Sequence, residues 1–363
     1  MNTINLLAVG DISLKTRNNK LPFEKVKEIF KDKDILFGNL ETVLSNQGRE
    51  TEKAVSLYTS PDKVNYLKGV GFDILNIANN HIMDLGIEGF NETLKVLTKN
   101  NINFIGARNK FERNYLIVEK QGIKSSFLSY TEDGFSLPEK NVWINKLEPK
   151  DIIRDIFFVK QQCDLIIVSL HWGIENVFYP SPQQIDLAHK IIDSGATIIL
   201  GHHPHVIQGI ERYKNGLIAY SLGNFQFDPS ISYSPNNYSF ILLIELTKDG
   251  LQAYDINPVK IDDEFIPYVP TEEEQEEIRQ FISEKSQHIN NGSITRQWWF
   301  EQIAGEYLSG NMKSFIIRIK RFGFRHFLQC IRWLISPFVI RCYIGFLLKK
   351  LKGQQLKDET KLY

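Results

Sequence analysis

The chain has 363 residues, with 43 basic and 43 acidic side chains, and is 42% apolar and 12% aromatic. That length forms one large domain or two, the balanced charge excludes a globally basic nucleic-acid binder, and the apolar content excludes a disordered chain. Cys163, Cys330 and Cys342 are too few and too scattered for a disulfide framework or a thiolate zinc site.

Residues 4–9 read as a buried strand ended by Gly10, 22–31 as a helix after Pro22, and 34–37 as a short strand ended by Gly38. Residues 61–70 have helical spacing and 72–78 form a strand. Over 86–99, Ile87, Phe90, Leu94 and Leu97 give the i, i+3, i+4 pattern of a helix. Strands are predicted at 102–105, 115–118, 126–129, 164–169, 198–200 and 217–221, with helices at 151–162 and 182–194. Residues 239–246 and 251–257 form a late antiparallel pair. Thr271 as N-cap, with Glu274 as its capping-box partner, opens an acidic helix. That helix reads as solvated, whereas Trp298, Trp299 and Phe300 are apolar enough to pack on the body.

Metal-ligand residue types recur just after the predicted strands. Asp11 follows the first, Glu41 the second, Asn80 and His81 the third, His171 a later one, and His202, His203 and His205 the next. In layered α/β architectures, ligands bind beyond the carboxyl ends of strands, so these loops can converge on one site. Neutral imidazole is the commonest metal ligand near neutral pH, and three histidines within five residues favour a metal over a structural role. Pro204 keeps His203 out of the helical region. Strict strand alternation would send His203 and His205 to opposite faces, so both bind only if the loop turns or two metals lie side by side. Mixed carboxylate, amide and imidazole donors suit Mn, Fe, Zn or Mg. The set has the size of a two-metal site for in-line attack at phosphorus, with ions about 3.5–4 Å apart.

The segments 9–11, 38–41, 78–81 with Asp84 and Gly86, 171–175, 201–211 and 220–225 carry a family resemblance. Over about residues 5–245 the chain resembles the capsule-synthesis CapA family of poly-γ-glutamate biosynthesis proteins, a branch of the calcineurin-like metallophosphatase superfamily. The resemblance implies an α/β (α+β) fold, a four-layer αββα sandwich; the C-terminal amphipathic helical tail that follows it is read from the residues themselves, below. It implies two divalent metal ions. Asp11 and His205 would hold one, Asn80, His171 and His203 the other, and Glu41 would bridge them where typical metallophosphatases use Asp. His81 would be the catalytic acid, with Asp84 orienting it. Ser13 stands where those enzymes carry the histidine of an Asp-x-His motif, so the first metal loses an imidazole. His202 is a ligand, a donor to a ligand, or core, and ranks below His203 and His205. Glu175 and Glu211 read as carboxylates behind ligand imidazoles or as surface ion-pair members. Asn224 reads as a substrate contact or a turn residue, and Trp172 as packing. The implied biology is capsule or extracellular polymer production, of poly-γ-glutamate or a polysaccharide. The implied chemistry is a metal-dependent phosphoesterase-type hydrolase acting on a phosphoester or polymer-linked substrate, with capsule synthesis machinery as partner. A non-catalytic component of a polymer synthesis or export assembly, and a hydrolase of a carbonyl substrate, are the alternatives.

The balanced charge hides an asymmetry. Residues 307–363 carry 12 basic and 2 acidic side chains, so the body 1–306 is acidic. On a single helix over 315–335, Arg318, Arg321, Arg325 and Arg332 fall on one stripe, opposite Ile316, Phe324, Phe327, Ile331 and Leu334. That is the pattern of an interfacial membrane helix, with packing on the body or a partner subunit as the second reading. No segment reaches the roughly 18 uncharged apolar residues of a spanning helix. The expected organisation is a metallophosphatase-type domain over 1–260, an acidic helical transition over 261–306 and a basic amphipathic tail over 307–363. An anionic membrane surface is the expected partner of residues 315–352, and no nucleic acid is expected. Residues 1–7 lack the basic and long apolar regions of a secretory signal, so the expected location is cytoplasmic, peripheral at the inner face of the membrane.

Overall fold

Side chains of the strand Thr3–Ile12 alternate between two cores. Ile4, Leu6 and Ala8 enter one, while Leu7, Val9 and Ile12 enter the other. The strand Ile35–Leu40 repeats this, with Ile35 and Phe37 against Leu36 and Leu40, and so does Ile74–Asn76, with Ile74 against Leu75. Period-two alternation with both faces buried is what a sheet between two layers requires. In this computed structural model, residues 2–18, 20–109, 115–228 and 237–351 are described, apart from the side chains of Phe322, Phe324, Arg325 and His326. Two members of the predicted tail pattern, Arg325 and Phe324, therefore lie outside the described side chains, and residue 352 lies outside the described residues.

Two sheets pack face to face. The first runs Pro267–Tyr268, Gly250–Ile261, Tyr238–Thr247, Thr3–Ile12, Ile35–Leu40, Ile74–Asn76 and Asn103–Ile105, with Asn224–Gln226 beside the end of Thr3–Ile12. The second runs Ile210–Tyr213, Gly216–Ala219, Ile198–His202, Leu165–His171, Ile123–Thr131 and Tyr115–Lys120. Phe37 and Phe127 stack across the interface with centroids 6.0 Å apart, an arrangement that contributes about 0.5–1.5 kcal/mol beyond its area. Helices α1 (Val64–Val70) and α2 (Gly86–Lys99) bury Val64, Leu67, Phe90, Leu94 and Leu97 in the outer core of the first sheet. Helices α3 (Pro149–Val159) and α4 (Pro182–Asp193) pack Ile152, Ile156, Ala188 and Ile191 with the second sheet. The result is the expected four-layer αββα sandwich.

Most predicted elements are present, and the differences have local causes. Residues 22–31 are not an α-helix but successive tight turns ending in the 3-10 segment Ile29–Asp32. Their bonds run from each amide to the carbonyl three residues earlier, as from Val26 to Phe23 and Phe30 to Lys27. This tighter winding brings Phe23 and Phe30 onto Phe72 and Phe225. Helix α5 (Glu272–Asn290) begins with the predicted capping box of Thr271 and Glu274 but is not solvated all round. Ile278, Phe281, Ile282 and Ile289 are buried in the central core, a stripe its glutamates conceal in composition.

Trp299 and Phe300 are buried, as expected. They belong to α6 (Arg296–Phe322), which is followed by α7 (Phe324–Leu334) and α8 (Pro337–Leu351). The predicted single helix over 315–335 is broken at Gly323, whose φ of +80° ends α6. α8 folds back on α6: Phe338 meets Trp299, Phe300 and Tyr307 at 6.1, 5.3 and 5.0 Å. Gly345 allows the close approach, since a Cβ there would lie 2.7 Å from the Phe300 backbone. The other face of α7 and α8 leaves Leu328, Ile331, Ile335, Ile344 and Leu347 exposed. Among the described residues no single helix is long and apolar enough to cross a membrane, although Phe327–Leu334 and Pro337–Leu351, bent by 58°, pass that test as a pair.

Candidate metal centre

Strand register lines up the polar residues before any side chain is considered. Along the carboxyl ends of the first sheet, Asn224 pairs with Asp11, Asp11 with Asn39, and Asn39 with Asn76. In the second sheet, Thr131 pairs with His171 and His171 with His202. The two rows face each other where the strands end. Gly10 makes the first row possible: a Cβ there would lie 1.9 Å from the Gly223 carbonyl oxygen, which accepts the Asp11 N–H at 2.9 Å.

The loop after Ile198–His202 turns, as joint use of its histidines requires. His203 and His205 have φ of +95° and +59°, the left-handed region that side chains rarely adopt. Their rings come to 6.0 Å between centroids instead of pointing to opposite faces.

Six predicted ligands meet in this space. Glu41 Oε1 lies 3.6 Å from His205 Nε2, 3.7 Å from His171 Nε2 and 3.9 Å from His81 Nε2. It is buried and has no hydrogen-bond partner. Asn80 Oδ1 and His203 Nδ1 lie 3.0 and 3.1 Å from His171 Nε2, and Asp11 Oδ2 lies 3.4 Å from His205 Nδ1. Three groups have ligand atoms close enough for one ion each: Asp11, Glu41 and His205; Glu41, His171 and His203; and Glu175, His203 and His205, the last through the exposed Glu175. Glu41 is common to the first two. A buried carboxylate oxygen without a donor, ringed by imidazole nitrogens, fits a cation between them.

The charge states follow from burial and proximity. Burial alone would raise the Asp11 carboxyl, but hydrogen bonds to His202 and His205 outweigh it and hold Asp11 well below its ordinary range. Burial, with the nearby Asp11, pushes Glu41 well above its own. Burial and His203 keep His171 down. His205 would also fall on burial, yet Glu41 and Asp11 lift it to about 10.

His81 stands at the edge with its Nδ1 2.5 Å from Asp84 Oδ2, so its Nε2 faces the cluster. Burial would raise Asp84, but His81 and then Lys53 hold it low; it also accepts from Lys53 Nζ and the Leu57 N–H, both at 2.6 Å. The predicted orienting role of Asp84 thus has the required contact.

Other sequence candidates separate clearly. Ser13 Oγ donates to the Gln226 carbonyl at 3.4 Å, away from the cluster. His202 is buried with Nδ1 3.2 Å from Asp11 Oδ1, so it steadies Asp11. Asn224 is buried, and its Oδ1 lies 2.9 Å from His205 Nδ1, which leaves His205 Nε2 for the centre. Glu175 lies at the cleft mouth near His203 and His205, whereas Glu211 binds His189 and Tyr220 elsewhere. Trp172 is core.

Sequence reasoning missed Asn39. Its Nδ2 donates to Asp11 Oδ1 at 2.8 Å and approaches Glu41 Oε2 at 3.4 Å, while its Oδ1 accepts from Asn76 at 2.8 Å and Asn79 at 3.3 Å. Its place two residues before Glu41 was the available signal, but the function of an amide here depends on register with Asp11. Arg318, read as part of a membrane stripe, was also missed: it lines the cleft over this centre.

The sequence matches the family model for the bacterial capsule synthesis protein PGA_cap over residues 5–229. It is 32% identical over 247 residues to the PGA biosynthesis protein CapA of Bacillus subtilis, covering 66% of this chain and 64% of that protein. It is likewise 32% identical over 252 residues to the capsule biosynthesis protein CapA of Bacillus anthracis, covering 66% and 61%. The matched region thus spans less than two thirds of either relative. The fold is similar to that of a Staphylococcus aureus protein described as a candidate 5′-nucleotidase, with a TM-score of 0.50 and 13% identity over 78% of this chain and 58% of that one.

Proposed function

This chain belongs to the bacterial capsule synthesis protein PGA_cap family, and we propose that it serves extracellular polymer synthesis as a metal-dependent phosphoesterase-type hydrolase. The observation that carries this reading is Glu41 Oε1, buried without a hydrogen-bond partner and facing the Nε2 atoms of His81, His171 and His205. Asp11, Glu41 and His205 would hold one divalent ion, and Glu41, Asn80, His171 and His203 a second. Such ions, when bound, supply Lewis-acid polarisation of a phosphoryl oxygen and activation of water. Asn39 holds Asp11 and Glu41 in place, and Asn224 and Asp11 hold the His205 ring. His81 gives a proton from Nε2 to the leaving oxygen, while Asp84 fixes Nδ1 and stabilises the doubly protonated ring. The substrate is a phosphoester, linked to a lipid or to the growing polymer. The same proposal sets the protein at an anionic membrane surface, on the cytoplasmic side and beside the synthesis machinery, through its tail. The exposed apolar residues of α7 and α8 support that part.

Metal analysis of the purified protein, run beside a generic phosphodiester turnover assay, tests the centre. Bound divalent metal is expected, and His203→Ala or His205→Ala should lower it. Metal-free protein with intact fold and full activity would overturn the reading. Bound metal without turnover on phosphodiesters or phosphomonoesters would remove the hydrolase and leave a non-catalytic assembly component.

A further inference from the structure

Helix α6 passes over the metal centre before the tail begins. The cleft above the candidate ligands has a volume of about 730 Å³. Its lining includes His81, His203 and His205, and, from α6, Asn311, Ser314 and Arg318. Arg321 fastens the helix to the rim: it pairs with Glu50 at 2.8 Å and reaches the carbonyl oxygens of Lys53 and Ala54 at 3.5 Å each.

Arg318, three residues earlier and so on the same helix face, has no such partner. Its guanidinium lies over the Phe315 ring, 5.6 Å from the centroid. Its Nε is buried with no hydrogen-bond partner, and it makes no ion pair among the described residues. Lys53, the other cation of the cleft wall, is committed to Asp84 and to the Asn80 carbonyl oxygen. The remaining charged lining is acidic, from Glu52, Asp133, Glu175 and Glu306. A buried guanidinium donor without an acceptor is disfavoured unless a ligand supplies one, and its planar fork matches carboxylate or phosphate oxygens. Desolvation in the cleft would raise Glu175, but His203, His205, His81 and, last, Arg318 hold it low, without an ion pair forming between Glu175 and Arg318. The carboxylates of the wall repel an anion, which leaves Arg318 as the place for it.

We propose that Arg318 is a substrate-binding residue that receives a second anionic group of the substrate, a phosphate or a carboxylate, while the metal centre holds the reacting phosphoryl group. This rests on the phosphoesterase reading of the centre. It makes the substrate an extended polyanion, and it ties substrate selection to the helix that leads into the tail.

The full chain, loaded with Mn²⁺ and checked for metal content before and after, is titrated calorimetrically with three probes. These are methylphosphonate, 3-phosphonopropionate and propane-1,3-bisphosphonate. At least one bifunctional anion should bind about tenfold tighter than methylphosphonate, as one charge-assisted pair allows. Arg318→Gln should remove that gain while leaving methylphosphonate affinity and metal content unchanged, and Arg318→Lys should keep part of it. The probe with the larger Arg318-dependent gain identifies the second group as carboxylate or phosphate. No gain in the wild type, or a gain that survives Arg318→Gln, overturns the proposal and leaves the metal reading intact. Arg318-dependent binding of a bifunctional anion without any methylphosphonate binding would instead support the anion site and sink the phosphoryl role of the metals. No binding of any probe overturns both.

Discussion

Asn39 carries more of the site than its size suggests. An amide offers two donors at nitrogen and an acceptor at oxygen, and here each end is committed: nitrogen toward Asp11 and Glu41, oxygen toward Asn76 and Asn79. Two buried carboxylates are thereby held apart at fixed positions without a charge being spent on either. His81 is governed in the same way by Asp84, and this pair yields a kinetic prediction. His81→Ala should lower phosphoester turnover by about 10²–10⁴-fold, the effect of losing a positioned proton donor, with metal content unchanged. Asp84→Asn should lower turnover less, because the ring stays but its orientation and charge are no longer held. If His81→Ala instead strips metal as strongly as Asn80→Ala, His81 is a ligand, with its Nε2, 3.9 Å from Glu41 Oε1, serving the same ion.

At the scale of elements, α5 and α6 do what neither acidic nor basic composition announces. α5 is secured at its start by Glu274, whose carboxylate accepts from Lys260 Nζ at 2.8 Å and the Thr271 N–H at 3.0 Å. The Lys260 bond, then the Thr271 bond, lower its pKa from 4.5 to about 2. A lowered folded-state pKa means stabilisation that is present above the ordinary value and lost as pH falls through the folded one. Glu274→Gln should therefore melt below wild type at pH 6, and the two melting curves should converge near pH 2. Identical curves at pH 6 would show that the cap adds nothing to the fold. α6 has a different task. It runs from the packed Trp299 and Phe300 to Arg318 and Arg321 without interruption, so one helix joins the core, the cleft wall and the entry to the tail. Gly323 ends it with a positive φ, which converts the predicted continuous amphipathic helix into two segments with different faces.

Across the whole molecule, this break redistributes the expected membrane contacts. Arg318 lines the cleft and Arg321 pairs with Glu50 at its rim, so the other exposed basic side chains among the described tail residues are Lys313, Lys320, Arg332, Arg341 and Lys350, of which the last three accompany the exposed Ile331, Ile344 and Leu347. Each basic side chain near an anionic leaflet contributes about 1 kcal/mol, a share that salt screens, and apolar insertion adds to it. The full chain should thus sediment with vesicles containing anionic lipid at low salt. Replacing Ile331, Ile344 and Leu347 with Ser should weaken this, whereas Arg318→Gln should not. Protein that stays in the supernatant at low salt would show that the α7–α8 face is covered by something other than lipid.

The sequence by itself determined the types and the approximate places of the candidate metal donors. A buried apolar strand ending in Gly, Asn or His is a local pattern, and the motifs at 38–41, 78–81 and 201–211 lie within single strand–loop units. The layered fold was legible for the same reason, because alternating strands and helices are set by short-range periodicity. Only the tertiary structure decided which atoms face the centre. The contacts that orient them join residues far apart in the chain, as Asp11 to His202 across 191 positions and Asn39 to His171 across 132, and such pairings follow from strand register rather than local spacing. Ser13 turning to Gln226, Asn224 holding His205, and α6 bringing Arg318 to the cleft are of the same kind. An arginine stripe drawn on an isolated helix faces solvent or lipid by default, and only the surface it packs against determines that Arg318 lines the cleft while Arg321 pairs with Glu50 at the rim.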